Sequence, residues 1–233
     1  MKSCRWMEFS PAAIVEVLGL ILRSVFLHPV HRFLETICIF NGQPRNLEWH
    51  QRRVDATLNH FSPKGIEEEN SFPLADILSA CDFPTEGLYR CRIRYDLNSI
   101  EVEFFPYTPR QIRSLRLIEA PGDFDYSYKY ADRKVLEELF AQREDADDIL
   151  IVRDGWITDT SIANIAFRKG ERWYTPSRPL LAGTTLKRLI TKGILIPRPI
   201  HQSELHHFES FRIFNAMNDW GGEEQEVGFI IGG

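Results

Sequence analysis

The period of polar and apolar positions changes several times along the chain, and each change marks an element. Residues 33–41, FLETICIFN, are β-branched and aromatic and end at Asn41-Gly42, which predicts a strand running into a hairpin turn. Over 46–61, NLEWHQRRVDATLNHF, Leu47, Val54, Leu58 and Phe61 recur at helical spacing, with Asn46 as a candidate cap. Ser62-Pro63-Lys64-Gly65 breaks that helix. Glu67-Glu68-Glu69 suits a solvated loop or a helix start, and 74–81 suits a short helix. Alternation returns in LYRCRIRY (88–95) and IEVEFF (100–105), with a turn at Asn98-Ser99, and IRSLRLIE (112–119) predicts one more strand. Residues 33–119 thus form an α+β unit.

Ala120-Pro121-Gly122-Asp123 is the best linker in the chain. Beyond it, 130–143 predicts a helix with Leu136, Leu139 and Phe140 facing inward and an i,i+4 ion pair between Arg133 and Glu137. Short strands follow in ILIVRDG, WITDT and ANIAFRKGERWYT, turning at Asp154-Gly155 and Lys169-Gly170. Thr184 to Lys192 predicts a helix that stops at Gly193, FRIFNAM (211–217) a late strand, and the closing Gly-Gly pairs a loose tail. The most apolar stretch, 11–30, follows Lys2 and Arg5 in the manner of a signal peptide, but Glu16 and Arg23 interrupt it and no small-x-small cleavage site follows. Its longest uncharged piece is too short to span a bilayer. It suits an amphipathic helix from Pro11 to about Arg23 packed on the body, or a segment upstream of the true start.

Composition narrows the function without choosing it. Of 233 residues 43% are apolar and 26% charged, which excludes a disordered or collagen-like chain. A net charge of −5 argues against gripping nucleic acid or anionic lipid. Cys4, Cys38, Cys81 and Cys91 form no CxxC pair and have no metal-ligand spacing with a histidine, so a reducing cytoplasm and no metal are expected. The basic residues are lopsided: 21 arginines against seven lysines, at 2, 64, 129, 134, 169, 187 and 192.

Among these, Lys129 sits between Tyr128 and Tyr130. Flanking aromatics can desolvate an ammonium and lower its pKa, as a Schiff-base lysine needs; on local sequence alone it is an ordinary surface lysine. Gly183-Thr184-Thr185 opens a helix, either as a phosphate-sized anion site or as a plain threonine cap. Asp154, Asp159 and Asn164 look like turn residues, Arg53 like a solvated helix charge, and His50, His60, His206 and His207 like surface or core residues. P-loop, GxGxxG, HExxH and GxSxG motifs are absent. A phosphate-cofactor enzyme, a ligand-binding module and a structural partner protein all stay open.

Taken in order from about Phe33 to Met217, however, the pieces resemble the fold-type IV family of pyridoxal-phosphate enzymes, which includes branched-chain and D-amino acid aminotransferases and 4-amino-4-deoxychorismate lyase. FLETICIFNG resembles the family's first strand and turn, LEWHQRR its L-x-x-H-x-x-R helix and YKYADR its K-x-x-N-R segment. DGWITDTSIANIAF resembles D-G-x-V-x-E-x-x-x-x-N-I/L-F, YTPSRPLLAGTTLKRL the T-P-x-x-x-x-L-x-G-I-T-R segment, and FNAM the late N-A-L/M strand. The resemblance implies a two-domain α+β / α/β architecture with pyridoxal 5'-phosphate between the domains. These would be an atypical N-terminal extension at 1–32, a small N-terminal α+β domain at 33–120 and a C-terminal cofactor-binding domain at 121–233.

The resemblance also implies roles. Lys129 matches the lysine that holds the cofactor covalently and moves the proton. Arg53, Thr184 and Thr185 match the phosphate ligands, Leu181 the leucine packed on the ring, and Asn215 and Ala216 the far side of the phosphate cup. Asp159 stands where the family has a glutamate on the pyridine nitrogen, which keeps the ring an electron sink. Arg94 falls near the substrate in some members. Two departures stand out: the aspartate is one methylene short, and His28-Pro29-Val30-His31-Arg32 replaces a Gly-Asp-Gly segment. The implied activity is a lyase releasing pyruvate and 4-aminobenzoate for folate synthesis, favoured by the compact C-terminal half and the NAM strand. The alternatives are an aminotransferase and a degenerate relative that binds cofactor without catalysis. The implied partners are a small-molecule amino-group substrate and a second copy of the chain, as a homodimer, with no nucleic acid and no membrane.

Overall fold

A computed structural model describes residues 31–62 and 72–232. The expected helix at 11–23 and the acidic run at 67–69 lie outside those residues. The first sheet has the order β2-β1-β3-β4, from β1 (Phe33–Phe40), β2 (Gln43–Pro44), β3 (Leu88–Tyr95) and β4 (Ile100–Pro106), all antiparallel. Asn41 and Gly42 both take positive φ, as a two-residue hairpin twisted with its strands requires. Alternation gives β1 two faces. Phe33, Ile37 and Ile39 bury against Val54 and Leu58 of α1 (Leu47–Phe61) and Leu74 and Leu78 of α2 (Leu74–Ser79); Leu34 and Thr36 point to the opposite side. Asn46 occupies the cap position of α1 but is left-handed (φ 53°) and its side chain makes no capping bond, so the expected cap is absent.

The second half pairs two sheets. One has the order β13-β5-β6-β7, from β5 (Leu115–Glu119), β6 (Asp148–Arg153), β7 (Trp156–Thr160) and β13 (Ile230–Ile231). The other has the order β10-β9-β8-β11-β12, from β8 (Asn164–Lys169), β9 (Arg172–Pro176), β10 (Leu195–Arg198), β11 (Ser210–Phe214) and β12 (Gln225–Glu226). Leu115, Leu150, Val152, Ile165, Phe167 and Phe211 form the core between them. Helix α3 (Lys134–Ala141) covers Ile149 and Ile151 with Leu136 and Leu139, and α4 (Thr184–Thr191) covers Ala166 and Phe214 with Leu186 and Leu189. The Asp154-Gly155 hairpin forms as its sequence predicts, again with two positive φ values.

Several boundaries differ from the sequence pattern. The strand expected at 112–119 begins only at Leu115, because the Asp147 carboxylate accepts the amides of Arg113 and Ser114. The helix expected from 130 begins at Lys134, because 129–131 zips onto β1 instead: Leu34 N donates to Lys129 O (3.0 Å) and Ala131 N to Arg32 O (2.8 Å). Arg133 does not pair with Glu137; its guanidinium donates to the Tyr126 hydroxyl and the Ser161 carbonyl, and the i,i+4 pair of this helix is Lys134–Glu138 at 4.0 Å. The late strand ends at Phe214, where Asn215 Oδ1 accepts the amides of Met217 and Asn218 and turns the chain. The tail is not loose, since β12 pairs with β11 and β13 with β5.

Candidate active site

Lys129 is presented on a strained turn. Its φ is +53°, its amide donates to Tyr126 O and its carbonyl is held by β1. Left-handed backbone costs a non-glycine residue about 1 kcal/mol or more and persists where neighbours over-determine it. Here the β1 hydrogen bonds and the packing of Tyr128 and Tyr130 on the first core do so. The turn leaves the side chain on the wall of a cavity of about 350 Å³ between the first sheet, α3 and the N-terminus of α4. Burial lowers the Lys129 ammonium to about 7; Arg53 adds to the fall and Glu35 opposes it.

Asp159, at the end of β7, lines the same cavity and is 5% exposed. Its Oδ1 accepts from Asn164 Nδ2 (2.6 Å) and its Oδ2 from the Leu181 amide (2.9 Å). Burial raises it to about 7 against these two bonds. Asn164 Nδ2 also donates to Leu181 O (2.8 Å), so one amide ties the carboxylate to the loop before α4. A Cβ at Gly183 would collide with Asn164 Oδ1, which leaves room for no side chain there. Asn164→Ala should therefore leave both the Asp159 and Leu181 acceptors short of a donor and cost about 1–3 kcal/mol in urea unfolding.

The buried Thr184 and Thr185 open α4, whose first-turn amides have no partner within the helix and carry its positive dipole end. Arg53 lines the same cavity from α1, as do Leu181, Asn215 and Ala216. A cation, a helix N-terminus, a buried carboxylate and a low-pKa lysine on the wall of one cavity form a donor set that fits pyridoxal phosphate.

Arg94 stands apart. It pairs with Glu103 (3.0 Å) and Glu101 (3.6 Å) and is not among the residues lining the cavity. Arg90 and Arg92, on the same face of β3, do line it, with Tyr107. Arg90 lies over the Phe105 ring and its Nε is buried without a partner, while Arg92 pairs with Glu103 (2.9 Å). The alternation in LYRCRIRY already put all three arginines on one face; which of them β4 would neutralise was not readable from that strand. His50 is a core residue, at 2.5 Å from a fully buried Glu35. Among the described residues no group of three or more His, Cys, Asp or Glu side chains could hold a metal, no disulfide joins Cys38, Cys81 and Cys91, and no helix is long and apolar enough to cross a membrane.

Comparison with known proteins agrees with this donor set. Residues 32–222 match the family model for amino-transferase class IV. An uncharacterised protein of Haemophilus influenzae is 35% identical over 192 residues, covering 81% of this chain and 99% of its own. The crystal structure of a proposed 4-amino-4-deoxychorismate lyase from Haemophilus somnus 129PT superposes with a TM-score of 0.74 at 38% identity, over 81% of this chain and 97% of that one. The branched-chain amino acid aminotransferase of Escherichia coli shares the fold alone, at a TM-score of 0.62 and 14% identity over 83% of this chain and 75% of its own.

Proposed function

The chain belongs to the class IV aminotransferases and is a pyridoxal-phosphate-dependent enzyme, and on that premise we propose that it is a 4-amino-4-deoxychorismate lyase, releasing pyruvate and 4-aminobenzoate. The observation that carries the reading is the 38% identity to the proposed lyase across nearly all of that protein. The chemistry of the cavity wall supports it: Arg90 and Arg92 offer two guanidiniums, and the substrate carries two carboxylates. The reading extends to a homodimer in the cytoplasm, acting in folate biosynthesis.

When bound, pyridoxal phosphate supplies a ring that withdraws electrons from the carbon bearing the substrate's amino group. The chain does the rest. Arg53 and the first turn of α4, with the Thr184 and Thr185 hydroxyls, hold the phosphate. Asp159 holds a proton on the ring nitrogen, Leu181 packs on the ring face, and Asn215 and Ala216 close the cup. Arg90 and Arg92 orient the substrate. Lys129, whose amine is largely free above pH 7, would hold the cofactor until the substrate's amino group displaces it, and the amine so released would serve at Nζ as base and acid. Nζ would remove the proton from the amino-bearing carbon; the neighbouring ring carbon–oxygen bond would then break with its electron pair going to oxygen, and Nζ would return a proton to the methylene of the departing three-carbon unit, so the substrate's ring aromatises and pyruvate leaves with no change in overall oxidation state.

The test is direct. Incubation with 4-amino-4-deoxychorismate, with pyruvate read by a lactate dehydrogenase couple, should give pyruvate and 4-aminobenzoate in equal amounts and no requirement for a 2-oxo acid. No pyruvate, together with amino transfer that needs 2-oxoglutarate, would make the enzyme an aminotransferase. Arg90→Met should raise KM about 10- to 100-fold with a smaller change in kcat, the cost of one charge-assisted hydrogen bond to a carboxylate. A KM unchanged in that variant would remove Arg90 from substrate binding.

A further inference from the structure

Glu35 has no part in the chemistry set out above, yet it is a fully buried carboxylate one residue from the cavity wall. It lies on the face of β1 that packs against α1, where its neighbours in alternation are Phe33 and Ile37. Its Oε1 accepts from Arg53 Nε and its Oε2 from Arg53 Nη2, both at 2.6 Å, and Oε2 lies 2.5 Å from His50 Nδ1. Burial opposes the carboxylate's charge, but the Arg53 guanidinium and the bonds from His50 and Arg53 outweigh it and hold Glu35 at about 2. Burial keeps His50 below its ordinary value, so the ring is the neutral member of the set. Its Nε2 is buried without a partner, which makes the Nδ1 contact with Glu35 its polar anchor.

The three side chains therefore hold one negative and one positive charge. Glu35 occupies the Nε–Nη2 edge of Arg53, which leaves Nη1 free for the cavity that Arg53 lines. Arg53 is only 8% exposed, beside Val54, Leu58 and Tyr95 of the first core. Without Glu35 its guanidinium would be an unpaired charge in that setting whenever no anion filled the cavity, and an uncompensated buried charge is among the costliest defects a fold can carry.

We propose that Glu35 is a positioning residue that keeps the phosphate cup standing when the cofactor is absent: it neutralises Arg53 and fixes the guanidinium with one edge turned to the incoming phosphate. The proposal rests on the reading of Arg53 as a phosphate ligand. It implies a trade. The phosphate meets a guanidinium that is already paired, so some attraction is given up, and in return the empty site needs no anion to survive.

The test is a set of thermal melts on apo wild type, Glu35→Gln, Arg53→Met and the double variant, each alone and with pyridoxal phosphate, pyridoxal or inorganic phosphate. Apo Glu35→Gln should melt about 10 °C below wild type. Pyridoxal phosphate and inorganic phosphate should raise it by more than they raise wild type, because they supply the missing counter-charge; pyridoxal, which has no phosphate, should not. The double variant, with neither charge, should melt above Glu35→Gln and gain no more from either phosphate than wild type does. A deficit of equal size whatever ligand is present would make Glu35 merely structural and overturn the proposal. If Glu35→Gln yields no folded apo protein, the double variant decides: recovery of a folded protein supports the proposal, and failure to recover overturns it. If Arg53→Met still favours pyridoxal phosphate over pyridoxal as wild type does, the reading of Arg53 fails and the proposal with it. If Arg53→Met loses that preference while the Glu35→Gln deficit ignores ligand, the proposal fails alone.

Discussion

Lys129→Ala protein should be colourless after purification in the presence of pyridoxal phosphate, and its turnover should fall about 10⁴-fold, the range expected when a positioned acid–base group is lost. Wild type should show a visible band that borohydride removes. The backbone gives no reason for collapse, because alanine meets the same left-handed strain at φ +53° that lysine already bears. The other described lysines offer no substitute: Lys134, Lys169, Lys187 and Lys192 do not line the cavity. Burial sets the pH behaviour. A free lysine with a pKa near 10.4 has roughly one amine in a few thousand unprotonated at pH 7. Lys129 is pushed down to about 7, so about half of it is free base there. Cofactor capture by apo protein should slow as pH falls below 7 and level off above it, read by stopped-flow absorbance. A rate still climbing towards pH 10 would mean that the site does not desolvate this amine.

How much of this was legible in the chain depends on the range of the interaction. The Asn41-Gly42 and Asp154-Gly155 turns need two successive positive φ values, a local requirement, and the sequence shows them plainly. The apolar spacing of Val54 and Leu58 is equally local. The start of α3 was not legible, because the bond that stops it comes from Leu34, far away along the chain, to the Lys129 carbonyl. The same bond sets the turn that carries the lysine. Asn164 matched a motif position but showed no role, since its partners are Asp159 on β7 and the Leu181 carbonyl before α4. Glu35 and His50 showed a motif but no role, and their partnership with Arg53 joins a strand to a helix. Arg94 illustrates the converse limit: strand alternation gives the face, and only the pairing with β4 shows that Glu101 and Glu103 occupy it.

Asp159→Asn should lower kcat by about 100- to 1000-fold, the cost typical of removing one preorganised electrostatic contact at a reacting centre. The replacement is nearly isosteric, so what changes is charge and donor count. In the wild type both carboxylate oxygens accept, one from Asn164 and one from the Leu181 amide. Asparagine has a single oxygen, and its NH2 must then face one of those two donors. Asn164 cannot flip to relieve the clash, because its own NH2 would leave the Leu181 carbonyl and put an oxygen against it. A stability loss of about 1–3 kcal/mol should accompany the kinetic one. The two separate by temperature: assayed well below the melting point of the variant, the folded fraction is complete and the loss in kcat reports the chemistry alone. Asp159→Glu keeps the anion but forces an extra methylene into a side chain fixed at both oxygens, so it should lose stability through overpacking and keep more turnover than the asparagine variant. An asparagine variant with full turnover and reduced stability would leave Asp159 as a loop anchor and no more, and the proton on the ring nitrogen would need another holder.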